Sequence, residues 1–462
     1  MLSIGIDFGT SNSSVAVFDG TSLRLLPLDA HARDPRIMRS LLYIPRDGDI
    51  VAGQRALDLY TEQNTGREVR LERRYIREVT MTFSDMTVTK DAYAMIDVNE
   101  PGRLFQSLKR FLPVTSFRKT NVFGQEYRLE ELVATLAHQM VRAAAAALGQ
   151  PVRSLTVGRP VRFSEDAAKD EAARRRLEEA WSLAGVDRVR FLEEPVAAAH
   201  HYASEAALPP GTRFLVFDFG GGTLDITVAR ATGRAADVLA TGGVPLGGDL
   251  LDSRIMETRV ARHFGKGARY PPDGLPLPGH LLSRLRSWQT IVELNRPDLL
   301  ELIRDAARRT DRPRELANLE TLVTRNYGLA LFRAIEEAKI ALSSEEATEI
   351  RLAWARGRVS PSRAGEEPGE GSLDALEPLT REAFEAAISM QLRAARDCAL
   401  AAVERAGCAP EEIALVITTG GSSLIPAFRR MLQDALPRAS LAESDTFTSV
   451  AAGLALAGGT IE

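Results

Sequence analysis

Two short segments of the sequence place an aspartate directly before a turn rich in glycine and hydroxyl side chains. The first runs Asp7, Phe8, Gly9, Thr10, Ser11, Asn12, and the second runs Asp218, Phe219, Gly220, Gly221, Gly222, Thr223. Glycine lets the backbone approach a ligand closely, successive turn amides form a concavity that binds anions, and hydroxyl groups add donors. Each segment therefore predicts a phosphate-binding turn, and two matched copies make a stronger prediction than one.

The aspartates of these segments are carboxylates beside predicted phosphate sites. Asp7, Asp218 and Asp225 would repel a phosphate unless a cation lay between them. Magnesium prefers oxygen ligands and keeps several of its waters, so these positions predict a magnesium ion held largely through water. Taken singly, each aspartate is also compatible with a side chain that caps its own turn.

The residues around each turn predict the elements that hold it. Apolar, β-prone residues flank both copies, which is typical of a β-hairpin with the aspartate at the end of its first strand. One copy in each half of the chain predicts two lobes of related build.

Further strands are predicted at residues 154–158, 189–192 and 414–418, and helices at about 164–184 and 425–435. Ser164 is the predicted N-cap of the first helix, and Gly185 closes it. This alternation favours an α/β sheet over a helical bundle.

Two stretches are less regular. Residues 270–279, rich in Pro and Gly, predict a turn-rich surface excursion, and residues 356–378, rich in Gly, Pro, Ser and Glu, predict a mobile loop. The residues between them, to about Leu342, are predicted to be mostly helical.

The bulk composition excludes several classes of protein. The 462 residues have a formal net charge of −4, so no basic excess indicates a nucleic-acid partner. No run of eighteen apolar residues and no signal peptide occur, which argues against a membrane. The two cysteines, Cys398 and Cys408, are too few for a disulfide framework, and we expect a reducing, cytoplasmic environment.

Five segments, in order along the chain, carry a resemblance to a known family. They are residues 5–10 (Gly-Ile-Asp-Phe-Gly-Thr), 193–199 (Glu-Glu-Pro-Val-Ala-Ala-Ala), 217–225 (Phe-Asp-Phe-Gly-Gly-Gly-Thr-Leu-Asp), 246–252 (Leu-Gly-Gly-Asp-Leu-Leu-Asp) and 415–426 (Leu-Val-Ile-Thr-Thr-Gly-Gly-Ser-Ser-Leu-Ile-Pro). With them the chain resembles the ATPase domain of the DnaK-type, seventy-kilodalton heat-shock chaperones, within the actin and sugar-kinase superfamily.

The resemblance implies an actin-like α/β ATPase fold. In that fold two lobes, each with a mixed β-sheet and helices, enclose a central nucleotide cleft. Lobe I would cover residues 1–190, with a peripheral subdomain at about 41–112, and lobe II residues 191–462, with one at about 250–378. Extra sequence at about 61–99 and 267–326 would enlarge both peripheral subdomains.

The same resemblance implies the roles of individual residues toward ATP or ADP and Mg²⁺. Asp7, Glu194 and Asp218 would surround the magnesium ion and its waters. The phosphates would be held by Gly9, Thr10, Ser11, Asn12, Gly220, Gly221, Gly222, Thr223, Gly247 and Gly248. Lys109 would contact the terminal phosphate, and Asp225, alongside Asp218, would orient the attacking water or accept its proton. The adenosine would lie between Gly420, Gly421 and Ser422 on one side and Glu336, Lys339 and Ser343 on the other.

The chain also departs from the family pattern. Ile340 and Leu424 stand where the family has arginines at the adenine, which predicts weaker affinity or an altered base preference. The family's Asn-Pro-Asp-Glu segment is replaced at residues 445–448. The sequence ends without the family's usual linker, peptide-binding β-sandwich and lid. We therefore expect no peptide clamping by that route, and the missing linker puts stimulation by J-domain proteins in doubt. These features resemble the short YegD-like relatives.

The predicted function is slow ATP hydrolysis coupled to closure of the lobes, in a chaperone-like protein without a peptide-binding domain. The expected partner is a nucleotide, with a client or co-chaperone unidentified and a monomer favoured. A sugar-type small-molecule kinase is an alternative, although lobe I offers no clear aspartate to activate a substrate. A nucleotide-dependent filament or sensor protein is another.

Overall fold

The computed structural model describes residues 2–83, 86–206, 208–232, 236–352, 376–443 and 448–460. The chain forms two compact units. The first contains residues 1–59, 103–251 and 388–462, and the second contains residues 60–102 and 252–387. The predicted division into lobes at about residue 190 stays a prediction.

The described strands are listed here in chain order. They are β1 (Ser3–Phe8), β2 (Asn12–Phe18), β3 (Leu23–Leu25), β4 (Met38–Arg39), β5 (Leu41–Pro45), β6 (Val51–Ala52), β7 (Leu71–Phe83), β8 (Met86–Asp97), β9 (Gly102–Gln106), β10 (Lys119–Val122), β11 (Gln125–Arg128), β12 (Ser154–Arg159), β13 (Arg188–Glu193), β14 (Arg213–Phe219), β15 (Leu224–Ala231), β16 (Ala236–Val244), β17 (Arg269–Tyr270), β18 (Leu275–Pro276), β19 (Ala347–Arg351), β20 (Leu376–Thr380), β21 (Leu415–Thr419) and β22 (Ser440–Glu443).

The described α-helices follow in the same order. They are α1 (Gly53–Asn64), α2 (Leu129–Leu148), α3 (Ala167–Leu183), α4 (Glu194–Ala206), α5 (Gly248–Thr258), α6 (Gly279–Ser283), α7 (Trp288–Ile291), α8 (Pro297–Arg309), α9 (Pro313–Thr324), α10 (Gly328–Ala341), α11 (Arg381–Ala387), α12 (Ser389–Arg405), α13 (Pro426–Ala435) and α14 (Ser449–Thr460). None of the helices in the described residues is long and apolar enough to cross a bilayer.

The first unit contains two sheets of the same build. Their strand orders are β13-β12-β1-β2-β3, with β4 also on β2, and β22-β21-β14-β15-β16. In each sheet three neighbouring parallel strands are followed by two antiparallel ones. The hairpins predicted at Asp7 and Asp218 are β1–β2 and β14–β15, so each occupies the same place in its sheet. The prediction of an α/β fold is confirmed, and the two hairpins lie in sheets of the same build.

Apolar residues on both faces of the central strands explain why these sheets are buried. Ile6 of β1 and Val157 of β12 are fully buried, and helices α2 and α3 contribute to the same core. Phe8 meets Trp181 of α3 edge to face, with ring centroids 6.5 Å apart. A parallel sheet with helices on its faces requires such continuous apolar strands.

Small residues let α14 lie unusually close to its neighbours. A Cβ atom added to Gly453 would lie 1.8 Å from the carbonyl oxygen of Ala197 in α4. A Cβ added to Gly5 of β1 would lie 2.3 Å from the carbonyl oxygen of Ala451 in α14. Backbone therefore meets backbone at both contacts, which requires glycine.

The N-cap predicted for the helix after β12 is wrong by two residues. Asp166, not Ser164, caps α3, and its Oδ1 accepts hydrogen bonds from the amides of Ala168 and Lys169 at 2.9 and 3.3 Å. The Ser164 hydroxyl instead accepts from the amide of Asp166. A carboxylate at an N-cap also interacts favourably with the helix dipole. Gly185 closes the helix as predicted, with φ of +90°.

The described part of the second unit contains three antiparallel strand pairs, β7–β8, β17–β18 and β19–β20. Its residues 279–341 are mostly helical, as predicted. Residues 356–375 of the predicted mobile loop lie outside the described residues. The prediction is wrong for residues 376–378, which begin β20. Glu377 is fully buried there, and its carboxylate pairs with Arg259 at 3.0 Å and His263 at 2.8 Å. These basic partners let a charged residue enter the core.

Candidate functional site

The first predicted phosphate turn connects β1 to β2. Ser40 fixes it with two hydrogen bonds, from its amide to the carbonyl oxygen of Ser11 (2.9 Å) and from its hydroxyl to that of Gly9 (2.8 Å). A Cβ added to Gly9 would lie 2.2 Å from the carbonyl oxygen of Asn12. The turn is therefore tight enough to require glycine at its first position.

The second predicted turn connects β14 to β15 and contacts the start of α5. The amide of Gly220 donates to the carbonyl oxygen of Thr223 at 3.1 Å, which closes the turn. Gly248 and Asp249, at the first residues of α5, donate their amides to the carbonyls of Gly220 and Gly221 at 3.1 and 2.9 Å. A Cβ added to Gly247 would lie 2.2 Å from the carbonyl oxygen of Gly221.

The two turns come from different sheets and meet each other. A Cβ added to Gly221 would lie 2.1 Å from the Ser11 hydroxyl, and one added to Gly222 would lie 3.1 Å from the Thr10 hydroxyl. The predicted phosphate-binding residues of both turns are therefore brought together, with hydroxyls and backbone amides on facing loops.

Acidic side chains surround a single lysine beside these turns. Asp7 and Asp218 are the penultimate residues of β1 and β14, and Asp218 is the register partner of Asp225 in β15. Glu194 is the first residue of α4. Lys109 lies in a 3₁₀ turn, Leu108–Phe111, and its ammonium pairs with the Glu194 carboxylate, with side-chain exposures of 7% and 12%.

The electrostatics of this cluster favour a further cation. Burial, and then the charge of Glu194, raise the pKa of Asp7 from 3.8 to about 7. The same two causes raise the pKa of Asp225 to about 7, although Thr223 and the amide of Val161 donate hydrogen bonds to it. Burial and three neighbouring carboxylates hold the pKa of Asp218 well above its ordinary value. Burial alone would lower the pKa of Lys109, yet the charges of Glu194 and Asp7 raise it.

These residues fit a magnesium ion bound to phosphates. Four carboxyl groups face one ammonium group, so full ionisation leaves an excess of negative charge that a divalent cation would largely offset. Within the described ranges, no three His, Cys, Asp or Glu side chains are grouped so that they could hold a metal directly. An ion here would therefore reach the carboxylates through water, as magnesium does readily.

The residues predicted at the adenosine belong to separate units. In the first unit, Ser422 donates its hydroxyl to the carbonyl of Gly220 at 2.9 Å, which attaches this segment to the second phosphate turn. Gly420 has φ of +79°, and a Cβ there would lie 2.4 Å from the carbonyl oxygen of Phe219. Only glycine fits this backbone. Gly421 follows it in a 3₁₀ turn, Gly421–Leu424.

In the second unit, Glu336 and Lys339 lie on α10, and Ser343 follows it. The Lys339 ammonium is 2.8 Å from both carboxylate oxygens of Asp252, and both side chains are 10% exposed. Ile340 is 59% exposed. The role of these residues at an adenosine stays a prediction.

A match to one family model identifies the family of this chain. The sequence profile of the family described as "Hsp70 protein" matches residues 3–269 and 319–462. The chain belongs to the Hsp70 family. Its fold is therefore the actin-like ATPase fold of that family, as predicted. The unmatched residues 270–318 lie within the segment 267–326 that the sequence predicts to be additional.

Individual Hsp70 relatives are similar at low identity. Over 99% of the chain it is 24% identical to "Chaperone protein DnaK" of Cenarchaeum symbiosum (strain A) and of Stenotrophomonas maltophilia (strain R551-3), covering 54% and 59% of those proteins. Over 55% of the chain it is 31% identical to "Chaperone protein dnaK1" of Prochlorococcus marinus (strain MIT 9313), covering 34% of that protein. The chain thus spans little more than half the length of the two DnaK relatives.

The structure adds site residues that the sequence did not single out. Ser40 holds the first turn, and nothing in its local sequence indicates this. Two glycines in strands lie against the acidic side chains. A Cβ added to Gly158 would lie 2.9 Å from the Glu194 side chain, and one added to Gly243 would lie 2.9 Å from Oδ1 of Asp225. Glycines inside strands indicate such close approaches, so this signal was present in the sequence.

Proposed function

We propose that this Hsp70-family chain binds magnesium ATP and hydrolyses it slowly to ADP and phosphate. One observation carries the proposal: Lys109 pairs with Glu194 and interacts electrostatically with three buried aspartates, and two of those aspartates lie directly before the two facing glycine turns. Such a cluster suits a polyphosphate that arrives with its own cation. The two DnaK relatives, which are named chaperones, support the same class of activity.

The backbone of the two turns supplies the phosphate site. Amides and hydroxyls of Thr10, Ser11 and residues 220–223 would donate to phosphate oxygens, while Asp7, Glu194 and Asp218 would hold magnesium through water. When bound, magnesium supplies neutralisation of the phosphate charge. Lys109 would turn from Glu194 to the terminal phosphate and add a point charge there.

Asp225 is the proposed proton acceptor for hydrolysis. The oxygen of a water would attack the terminal phosphorus, the bond to the bridging oxygen would break, and ADP would leave. The proton released by that water would pass to the Asp225 carboxylate. A carboxyl group with a pKa near 7 is suited to this role at neutral pH. Thr223 and Val161 hold its orientation by donating hydrogen bonds to it.

As a chaperone, the protein would couple nucleotide binding to the recognition of another protein. In such a protein, closure around magnesium ATP would change a surface that a client or co-chaperone recognises. The relatives' names support a protein partner, and its identity is left to experiment.

The test is steady-state phosphate release by the purified chain with ATP, in magnesium and in EDTA. We expect slow, magnesium-dependent release that Asp218→Ala abolishes. Asp237→Ala is the matched control, because Asp237 lies in the same sheet but pairs with Arg230 on the surface. Full activity in Asp218→Ala would refute the metal assignment. Transfer to an added sugar with little release to water would favour a kinase, and binding without turnover would favour a nucleotide sensor.

A further inference from the structure

The segment that carries Lys109 is a short 3₁₀ helix, Leu108–Phe111, followed by turns, with no α-helix or strand. In residues 107–117, here called the lysine strap, the amide of Leu112 donates to the carbonyl of Lys109 at 3.3 Å, and that of Phe117 donates to Val114 at 3.0 Å. Ser107 starts the strap with φ of +58°, a left-handed conformation that is costly for a residue other than glycine. Such a segment needs an anchor outside itself to keep one conformation.

Arg176 of α3 provides that anchor. Its Nη1 donates to the carbonyl oxygens of Leu112 at 3.1 Å and Val114 at 3.0 Å, and its Nη2 donates to that of Phe117 at 3.0 Å. Its Nε lies 3.1 Å from Oε1 of Glu130 in α2. One guanidinium group therefore joins three carbonyls of the strap to two helices of the core.

The anchor depends on the shape of an arginine side chain. The guanidinium fork is planar and presents five N–H donors in fixed directions, whereas a lysine ammonium is a compact charge with three. Arg176 is 15% exposed and Glu130 is 10% exposed, and the hydrogen bonds to Leu112 and Phe117 are partly buried, so water competes little for these two. The two residues before it differ: Arg175 is exposed, and Arg174 pairs with Glu171 on the helix surface. Of these three consecutive arginines, Arg176 is therefore the one that is mostly buried.

We propose that Arg176 is a positioning residue for Lys109. The Arg176 guanidinium donates to the carbonyl of Leu112, and the amide of Leu112 donates to the carbonyl of Lys109. These two hydrogen bonds fix the backbone from which the lysine side chain reaches the acidic cluster. This inference rests on the proposed role of Lys109 in ATP hydrolysis. The effect of Arg176 on Lys109 is measurable without turnover, however, so the two proposals fail separately.

The first measurement is the rate at which an amine-reactive reagent labels Lys109, read by mass spectrometry on the full chain without nucleotide. In the wild type the lysine is buried and paired with Glu194, so labelling is slow. We expect Arg176→Lys to speed labelling of Lys109 about tenfold, because local opening becomes easier. Arg175→Lys is the matched control and should leave the rate unchanged. Equal labelling in wild type and Arg176→Lys, with circular dichroism showing both folded, would overturn the inference.

The second measurement is turnover. We expect Arg176→Lys to lower kcat about tenfold with KM for magnesium ATP nearly unchanged, since a small displacement of a catalytic group is costly. In a Lys109→Ala background, Arg176→Lys should cause no further loss. An additive loss would show a merely structural role and overturn the inference. Full activity of Lys109→Ala would instead contradict the proposed function, while labelling still tests the position of Lys109.

A milder variant covers the case in which Arg176→Lys does not fold. Glu130→Gln keeps a hydrogen-bond acceptor for Arg176 and removes only its charge. We expect it to speed Lys109 labelling in the same direction by a smaller factor. Unchanged labelling in this variant, if Arg176→Lys is unfolded, would count against the proposal.

Discussion

Asp218 and Asp225 lie directly opposite each other across strands β14 and β15. In the first hairpin the corresponding partner of Asp7 is Ser14. The two hairpins therefore have the same strand arrangement but different charges, because only the second carries two facing carboxyl groups. This difference assigns the proposed proton acceptor to the second half of the chain.

Replacing Asp225 should separate binding from chemistry. We expect Asp225→Asn to lower kcat by about 100-fold or more, since loss of a general base typically costs that much, while ATP affinity changes little. Single-turnover hydrolysis and equilibrium binding would measure the two effects. Asp237→Asn serves as the control. An Asp225→Asn variant with normal single-turnover rates would exclude Asp225 as the base.

The raised pKa values predict how stability depends on pH without magnesium. Asp7 and Asp225 have folded-state pKa values of about 7 against 3.8 for an ordinary aspartate. Between about pH 4 and pH 7 the folded chain therefore keeps protons that the unfolded chain releases, so this contribution to stability falls as pH rises through that window. Below about pH 4 and above about pH 7 this contribution to stability is constant.

Comparison with Asp225→Asn isolates this effect from other carboxyl groups. From pH 4 to pH 7 in EDTA, the wild type should lose about 2–4 kcal/mol of unfolding free energy relative to the variant. Urea unfolding at several pH values measures it. Magnesium should reduce the slope, because the ion stabilises the ionised carboxylates. A pH-independent difference between the two proteins would contradict the assigned pKa shift.

The start of α5 should tolerate no side chain beside the second turn. A Cβ at position 247 would collide with backbone atoms of Gly221 and Gly222, at 2.2 to 2.5 Å. We expect Gly247→Ala to weaken ATP binding about tenfold or more, since a displaced phosphate site loses its aligned donors. Gly279→Ala, at the start of α6, is the control, because no other atom would lie within 4 Å of its added Cβ. Similar affinities for both variants, measured by fluorescent-nucleotide titration, would show that the α5 contact does not shape the site.

The contact between α14 and α4 predicts a stability effect away from the chemistry. Gly453→Ala should destabilise the protein by about 1–3 kcal/mol, because overpacking forces backbone shifts. Gly459→Ala, in the same helix, would meet a Phe18 ring carbon at 3.2 Å and should change stability by about 1 kcal/mol at most. Urea midpoints of the two variants measure the difference. Equal midpoints would refute the close approach of α14 to Ala197.

The sequence predicts what depends on local patterns. Both hairpins follow from the Asp-Phe-Gly repeats and their β-prone flanks, and α3 ends at Gly185 where the pattern places its end. The N-cap was misplaced because Ser164 and Asp166 are both good caps, and only the folded backbone selects between them. The start of β20 was missed because Glu377 is typical of a loop until its basic partners are known.

Long-range contacts are the part that local patterns did not predict. Lys109 and Glu194 form their ion pair across 85 residues. Ser40 reaches back 31 residues to Gly9, and Arg176 reaches 59 residues to Phe117. No spacing rule connects such positions, because the sheets and helices between them set the distances. Lys109 was found only through the family resemblance, and Ser40 had no signal at all.

The central claim is that carboxylates from both hairpins share one cation with a nucleoside triphosphate. Calorimetric titration of ATP into the purified chain, with magnesium and with EDTA, tests it most directly. The claim predicts that magnesium raises ATP affinity at least about tenfold, and that Asp7→Asn and Asp218→Asn each remove most of this gain. The same ATP affinity with and without magnesium, or an undiminished magnesium effect in both variants, would contradict it.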